Sequence, residues 1–234
     1  VKLLARGLVN FSDVRVLVFD EADQMLDQGF LPDAQRLADA CPPQRQLALF
    51  SATVSPQVEK LIQALFSKAE VVRSGGHHRV VPTLTTQNRE VMDGKRLPLL
   101  LKLLETPTPG GTIIFTNTRD QCDRLAEELK KSGKESVIYR GEMDKSQRRL
   151  NLKAFKEKRV ELLVSTDLAS RGLDLDHVER VTNYHLPHQL ETYLHRVGRT
   201  ARAGRKGLVI NLITERDQPL VRRLDSIQSR SLPN

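Results

Sequence analysis

An apolar run, Val16-Leu17-Val18-Phe19, ends directly in Asp20-Glu21-Ala22-Asp23. A buried strand that delivers two adjacent carboxylates to one loop suits the hydrolysis of a magnesium-bound nucleotide. One carboxylate holds the hydrated Mg2+ and its neighbour orients the attacking water. The same pair would also serve as a cap for the following helix, whose dipole favours negative charge there. A second apolar run, Gln46–Phe50, ends in Ser51-Ala52-Thr53. Hydroxyls are ordinary turn residues, but if the two runs are neighbouring strands, Ser51 and Thr53 come to lie beside the acidic loop.

Two further clusters follow. In Ser165-Thr166-Asp167-Leu168-Ala169-Ser170-Arg171-Gly172-Leu173-Asp174, a hydroxyl at the end of a strand, with a helix start and an arginine close behind, makes a phosphate grip. In His195-Arg196-Val197-Gly198-Arg199-Thr200-Ala201-Arg202-Ala203-Gly204, three arginines recur at intervals of three, which on a short helix sets them on one side. That pattern fits a basic, solvated helix, or a set of arginine fingers directed at a nucleotide held by another domain.

The elements that must position these groups read as α/β. Continuous apolar runs, suited to parallel strands buried on both faces, alternate with helical patterns. In the first segment strands are expected at Val14–Phe19, Gln46–Phe50 and Ala69–Arg73, and helices at Leu31–Ala40 and Gln57–Phe66, the latter with Ser55 as N-cap and Pro56 in its first turn. Residue 1 is Val rather than Met and a strand is expected soon after it, so the start reads as a truncation. Ser74-Gly75-Gly76-His77-His78 interrupts the pattern as a hinge, and its paired histidines lack the ligand framework of a metal site. The expected division is a first domain over 1–74, a linker over 75–83, a second domain over 84–228 and a tail over 229–234. Strands in the second domain are expected at Leu84–Val91, Thr112–Phe115, Ser136–Tyr139, Leu162–Ser165, Arg180–Asn183 and Gly207–Ile213. Its helices are expected at Lys95–Glu105, Arg119–Lys131, Lys145–Lys158, Gln189–Val197 and Asp217–Ile227. In such doubly wound sheets ligands gather at the carboxyl ends of strands, where all four clusters fall.

Composition narrows the partner. The net charge is +8 over 234 residues, and +5 of it lies between Glu191 and Asn234, which favours a polyanion. With no Trp and 4% aromatic residues, the chain is a poor candidate for a module that stacks bases on rings. Contact with the phosphate backbone, blind to sequence, fits better. Cys41 and Cys122 share no metal-ligand spacing and are expected as buried thiols, which points to the cytoplasm. No apolar stretch or leader pattern suggests a membrane.

In order, Asp-Glu-Ala-Asp, Ser-Ala-Thr, the strand ending in Phe115, Thr-Asp…Arg-Gly-Leu-Asp and His-Arg-Val-Gly-Arg-Thr-Ala-Arg resemble the DEAD-box family of ATP-dependent RNA helicases over nearly the whole chain. The resemblance implies tandem RecA-like lobes with doubly wound parallel sheets, the first incomplete and the second complete. It implies ATP and Mg2+ as cofactors and RNA as partner. By resemblance, Asp20 holds Mg2+ through water and Glu21 positions the attacking water. Asp23, Ser51, Thr53 and His195 couple hydrolysis to strand separation, and Asp174 contacts the ribose of ATP. Arg199 and Arg202 reach the γ-phosphate, while Thr116, Arg119, Gly141, Thr166 and Arg171 touch the RNA backbone.

The chain departs from the family pattern in several places. It holds no G-x-x-x-x-G-K-S/T phosphate loop, so alone it is expected not to hydrolyse ATP. The adenine-recognising segment and the first RNA motifs are also absent. Lys145 stands where Gln is usual, although Arg148 matches, and Ala201 replaces a commoner Gly. Glu142-Met143, Tyr193-Leu194-His195 and Arg205-Lys206-Gly207 look most like bacterial members that assemble the large ribosomal subunit, which implies ribosomal RNA or pre-ribosomal particles as target. A non-catalytic RNA-binding module would not need both the acidic and the arginine sets. A DNA helicase differs from this reading only through the family resemblance.

Overall fold

The computed structural model describes residues 1–27, 29–51, 54, 56–66, 69–72, 83–167, 175–201 and 204–230. The chain divides into two compact units, Val1–Gly75 and Gly76–Asn234. Both contain parallel strands flanked by helices, as the alternation of apolar runs and helical patterns predicts.

In the first unit β1 (Val16–Phe19) pairs in parallel with β2 (Gln46–Leu49), Phe19 opposite Leu49. Helices α2 (Ala22–Asp27), α3 (Leu31–Asp39) and α4 (Pro56–Leu65) supply a core of Ala22, Leu26, Ala34, Ala38, Val58 and Leu61 around Phe19. Leu17, Leu47 and Leu49 pack on that core, so alternate residues of the two strands face the helices. The other β1 residues, Val16 and Val18, remain half exposed. Two expectations fail here. The chain opens with a single helical turn, α1 (Lys2–Ala5), rather than an early strand. Residues 69–72 form no strand, and Val71 and Val72 stand 68% and 84% exposed. Ser55 and the segment around Gly75-Gly76 lie outside the described residues.

The second unit is a six-stranded, fully parallel sheet in the order β3-β8-β7-β4-β6-β5. The strands are β3 (Leu84–Glu90), β4 (Gly111–Thr116), β5 (Val137–Tyr139), β6 (Leu162–Thr166), β7 (Val178–Asn183) and β8 (Gly207–Ile213). The sheet is doubly wound. On one face α5 (Arg96–Leu103) and α6 (Arg119–Lys131) enclose Ile114, Val164, Ile210 and Leu212. On the other, α7 (Lys145–Lys156), α8 (Leu190–Val197) and α9 (Gln218–Arg230) cover Ile113, Phe115, Leu163, Val181 and Val209. Successive residues of β4, β6 and β8 thus point to opposite cores, which is why these strands read as apolar runs.

Local signals fix where the helices start at the carboxyl ends. The Thr118 hydroxyl accepts from Gln121 N while the Gln121 side chain accepts from Thr118 N, a capping box that begins α6 directly after β4. Asp144 caps α7, and its hydrogen bonds from Ser146 and Gln147 hold its carboxyl below the usual carboxylate range. Among the described residues no helix is long and apolar enough to cross a membrane.

Candidate functional site

The acidic loop is built by two main-chain bonds at the strand ends. Phe50 N donates to Phe19 O at 2.8 Å, and Ala22 N donates to Phe50 O at 3.0 Å. These extend the β1–β2 ladder past the strands and bring Asp20-Glu21 beside Ser51. Asp23 N then donates to Ser51 Oγ at 3.2 Å. Asp20 is exposed and its Oδ1 accepts from Glu21 N at 2.9 Å. Asp23 is only 6% exposed. Glu21 has φ 49, a left-handed backbone that bulky residues avoid, so the loop reverses sharply between the two carboxylates and α2. The hard oxygen donors of an exposed Asp20 fit a hydrated magnesium ion. Thr53 lies outside the described residues.

In the second unit the candidate residues cluster at the carboxyl ends of β4, β5 and β6. Thr116 pairs with Thr166 across β4 and β6, and Tyr139 pairs with Ser165 across β5 and β6. Arg119 begins α6 and forms an ion pair with Glu142, from the turn after β5. Gly141 opens that turn, and a Cβ built on it would meet nothing within 4 Å, so the main chain there is approachable. Arg148 sits over the Tyr139 ring, 5.8 Å from its centroid. Thr116 and Thr166 are both buried, and the Thr116 hydroxyl donates to Thr118 O at 3.3 Å. Arg171 and Asp174 lie outside the described residues.

The arginine motif also differs from a one-sided helical array. Helix α8 stops at Val197 with Gly198 as its C-cap, so Arg199 follows in a turn. A solvated basic helix is excluded for both described arginines: Arg196 is 1% and Arg199 5% exposed. Arg199 Nε donates to His195 O at 3.2 Å. Ala201, where Gly is commoner, has φ 55, a conformation glycine adopts more cheaply. Gly207 packs against this turn so tightly that a Cβ would lie 2.7 Å from Ala201 N and from Thr200 Oγ1. Arg202 lies outside the described residues.

Arg196 itself holds the site together. Its Nε and Nη2 donate to Asp167 Oδ1 and Oδ2 at 2.5 and 2.8 Å, a bidentate pair. Nη2 also donates to Asn117 Oδ1 at 2.8 Å, and Nη1 to Asn183 Oδ1 and His185 O at 3.1 and 2.6 Å. The guanidinium lies over the Phe115 ring at 5.1 Å. One side chain of α8 thereby ties the loops after β4, β6 and β7. The polar line continues sideways: Asn183 Nδ2 donates to Asn211 Oδ1 and Asn211 Nδ2 to Asn88 Oδ1, both at 2.8 Å. His185, next to this network, is pushed down to about 4 by burial and then by the nearby Arg96 and Arg196 charges, so it stays neutral at pH 7. Burial pushes the Cys122 thiol up to about 12, and both cysteines are free and buried as expected.

Sequence reasoning missed Asn117, Asp167, Asn183 and Asn211 as members of this network. The available signal was polar side chains inside runs buried on both faces, which must find partners. Among the described residues no group of three or more His, Cys, Asp or Glu could hold a metal ion.

Known proteins share this arrangement. The DEAD/DEAH box helicase model matches residues 2–61 and the helicase conserved C-terminal domain model matches residues 95–204. The chain is 38% identical over 200 residues to the DEAD-box ATP-dependent RNA helicase RhpA of Helicobacter pylori, covering 86% of this chain and 41% of that protein. It is 33% identical over 227 residues to CshA of Geobacillus kaustophilus, covering 97% of this chain and 49% of that one. The chain thus spans under half the length of these two curated relatives. Among solved structures, S. cerevisiae Dbp5 bound to RNA and ADP BeF3 superposes with a TM-score of 0.86 at 28% identity, over 99% of this chain and 61% of that chain. The DEAD-box protein SrmB of E. coli, bound to regulator of ribonuclease activity A, is 36% identical with a TM-score of 0.55, over 63% of this chain and 85% of that one. With its acidic loop on the DEAD model, its arginine turn on the C-terminal model and RecA-like neighbours for its fold, the chain belongs to the DEAD-box helicase family.

Proposed function

We propose that the whole protein is an ATP-dependent RNA helicase, coupling RNA-stimulated ATP hydrolysis to local unwinding or remodelling of RNA. The observation that carries this reading is the Asp23–Ser51 junction, which ties the acidic loop to the Ser-Ala-Thr strand end. A nucleotide-driven change at Asp20-Glu21 has a direct route to the second loop through it. Magnesium, when bound, would be held by Asp20 through water and would neutralise triphosphate charge. Glu21 orients the attacking water, and Asp174 holds the ribose. Arg199 and Arg202 act on the charge of the same triphosphate, a role worth about 10³–10⁵ in rate where such fingers have been measured. Asp23, Ser51, Thr53 and His195 couple this step to RNA. Arg119, Gly141, Thr166 and Arg171 take the RNA backbone, while Thr116 anchors their loop from beneath. Because both ligands favour the same assembled state, each raises affinity for the other.

The reading extends to ribosomal RNA or pre-ribosomal particles as target, supported by Glu142-Met143 and the bacterial relatives, and to the cytoplasm, supported by two free thiols. In the whole protein, Glu21→Gln should abolish RNA-stimulated hydrolysis and spare ATP binding; undiminished turnover would remove Glu21 from its role. The 234-residue chain alone, without a phosphate loop, should bind RNA weakly with a steep salt dependence and hydrolyse no ATP. Binding that ignores salt would count against a phosphate-backbone contact, and competition with DNA of equal sequence reports the sugar preference.

A further inference from the structure

Arg119 and Glu142 meet above the sheet where the loops after β4 and β5 end, with side chains 51% and 73% exposed. Ion pairs this exposed contribute little to stability, because water screens them and two long side chains must be held still. The turn that carries this one has a left-handed backbone uncommon for a non-glycine residue: Glu142 has φ 61. Both of its flanks are anchored. Arg140 Nε donates to Asp123 Oδ1 at 2.7 Å and Arg140 Nη1 donates to Gly141 O at 3.1 Å. On the other side Asp144 caps α7 through Ser146 N at 2.8 Å and Gln147 N at 3.2 Å. Held between fixed ends, Glu142 is aimed at Arg119. Two neighbouring arginines differ: Arg140 is only 23% exposed with its charge already matched by Asp123, and Arg148 is half-buried over the Tyr139 ring. Arg119 is therefore the cation that a phosphate could capture, and the chain's own carboxylate covers it.

We propose that Glu142 is an intramolecular competitor for the RNA phosphate at Arg119 and so sets the affinity of this lobe for RNA. This rests on the reading of Arg119 as an RNA contact. A phosphate offers the same guanidinium a bidentate partner, and displacing Glu142 returns a mobile, hydrated carboxylate to water. The device lowers affinity for a lone phosphate while leaving a polymer, held at several neighbouring points, able to displace it.

The test uses this chain and a fluorescein-labelled oligouridylate of ten nucleotides, followed by anisotropy at low and moderate salt. Glu142→Gln should tighten binding about two- to fivefold at low salt, the range expected for release of one exposed pair. Glu135→Gln makes the same change in net charge at an exposed site beyond the opposite end of β5 and should move Kd far less. Arg119→Gln should weaken binding and flatten its salt dependence by about one phosphate, and adding Glu142→Gln to it should then change nothing. If Glu142→Gln binds like the parent chain, tightens no more than Glu135→Gln, or keeps its effect without Arg119, the competitor is not Glu142. If instead Arg119→Gln leaves both Kd and salt dependence untouched, the RNA contact at Arg119 fails, and this proposal with it. Thermal melts of all variants should coincide, since every substituted side chain is exposed.

Discussion

Replacing Arg196 by Met is the sharpest test of how the second unit holds its loops. The substitution keeps an aliphatic stem, takes the guanidinium off the Phe115 ring and removes every N–H from the junction. It takes the Arg196 donors away from the Asp167 carboxylate, Asn117 Oδ1, Asn183 Oδ1 and His185 O. Removing one partner of a buried pair costs about 3–5 kcal/mol, mostly because the remaining charge is left uncompensated. Asp167 is 23% exposed and recovers some hydration, while Asn183 is fully buried and recovers none. The lower end, about 3 kcal/mol, is the expected loss. For a unit of this size that corresponds to a fall in Tm of about 6–12 °C.

The assay can be confined to this unit. The chain has no Trp and three Tyr, and Tyr139, Tyr184 and Tyr193 all lie buried in the second unit, so circular dichroism in the tyrosine band, to the long-wavelength side of phenylalanine, follows the melting of that unit. Adding Asp167→Asn removes the carboxylate charge, so Arg196→Met with Asp167→Asn should melt higher than Arg196→Met by itself. A single variant that melts within about 2 °C of the parent would refute the stabilising role of the junction. A double variant that melts lower than the single would show that the penalty is lost packing and not the carboxylate charge.

Two further outcomes follow from the same region. His185 titrates near 4 in the folded chain against its ordinary 6.5, so its neutral form adds stability that is complete above about pH 6.5 and is lost as pH falls toward 4. Urea midpoints should drop between pH 7.5 and 5 by the equivalent of about 1 kcal/mol, the ~2 kcal/mol that the shift supplies by pH 5 being discounted for partial exposure, and His185→Asn should flatten that slope; an unchanged slope would assign the titration elsewhere. Gly207→Ala should cost about 1–3 kcal/mol by overpacking, because its methyl would press on the main chain of the arginine turn. In the whole protein that variant should lower hydrolysis more than RNA binding, and equal losses would deny a local effect on Arg199.

The strands of the second unit were legible because a sheet covered on both faces writes itself as unbroken apolar runs; Gly207–Ile213 was placed to the residue. Ala69–Arg73 misled because Val71 and Val72 satisfy strand propensity, whereas β structure is decided by packing against neighbours. The acidic and hydroxyl clusters could be seen since they terminate strands, where ligand-binding loops belong. The arginine spacing suggested three guanidinium groups on one side of a short helix, whereas the helix ends at Val197 and Arg199 follows in a turn. Periodicity of three says which residues share a side, not whether that side meets water, and Arg196 lies on the same buried face as Tyr193 and Val197. Partners such as Asn117 and Asp167 are separated from Arg196 by 79 and 29 residues, a distance at which no local pattern speaks.

The asparagine line has a consequence for how the sheet assembles. Strands that are apolar on both faces can slide past one another by two residues with every side chain still on its own face, so greasiness alone does not choose among alignments. Asn88, Asn211 and Asn183 stand opposite one another on three adjacent strands, each amide matched only in the native alignment. A slip of two between β7 and β8 would set Asn183 against Val209 or Ile213 and break the bond between the two buried amides, Asn183 and Asn211, at about 1–3 kcal/mol each. The line works as a key in a lock: it adds little to the grip of the sheet and decides which of several near-equal closures is allowed to form.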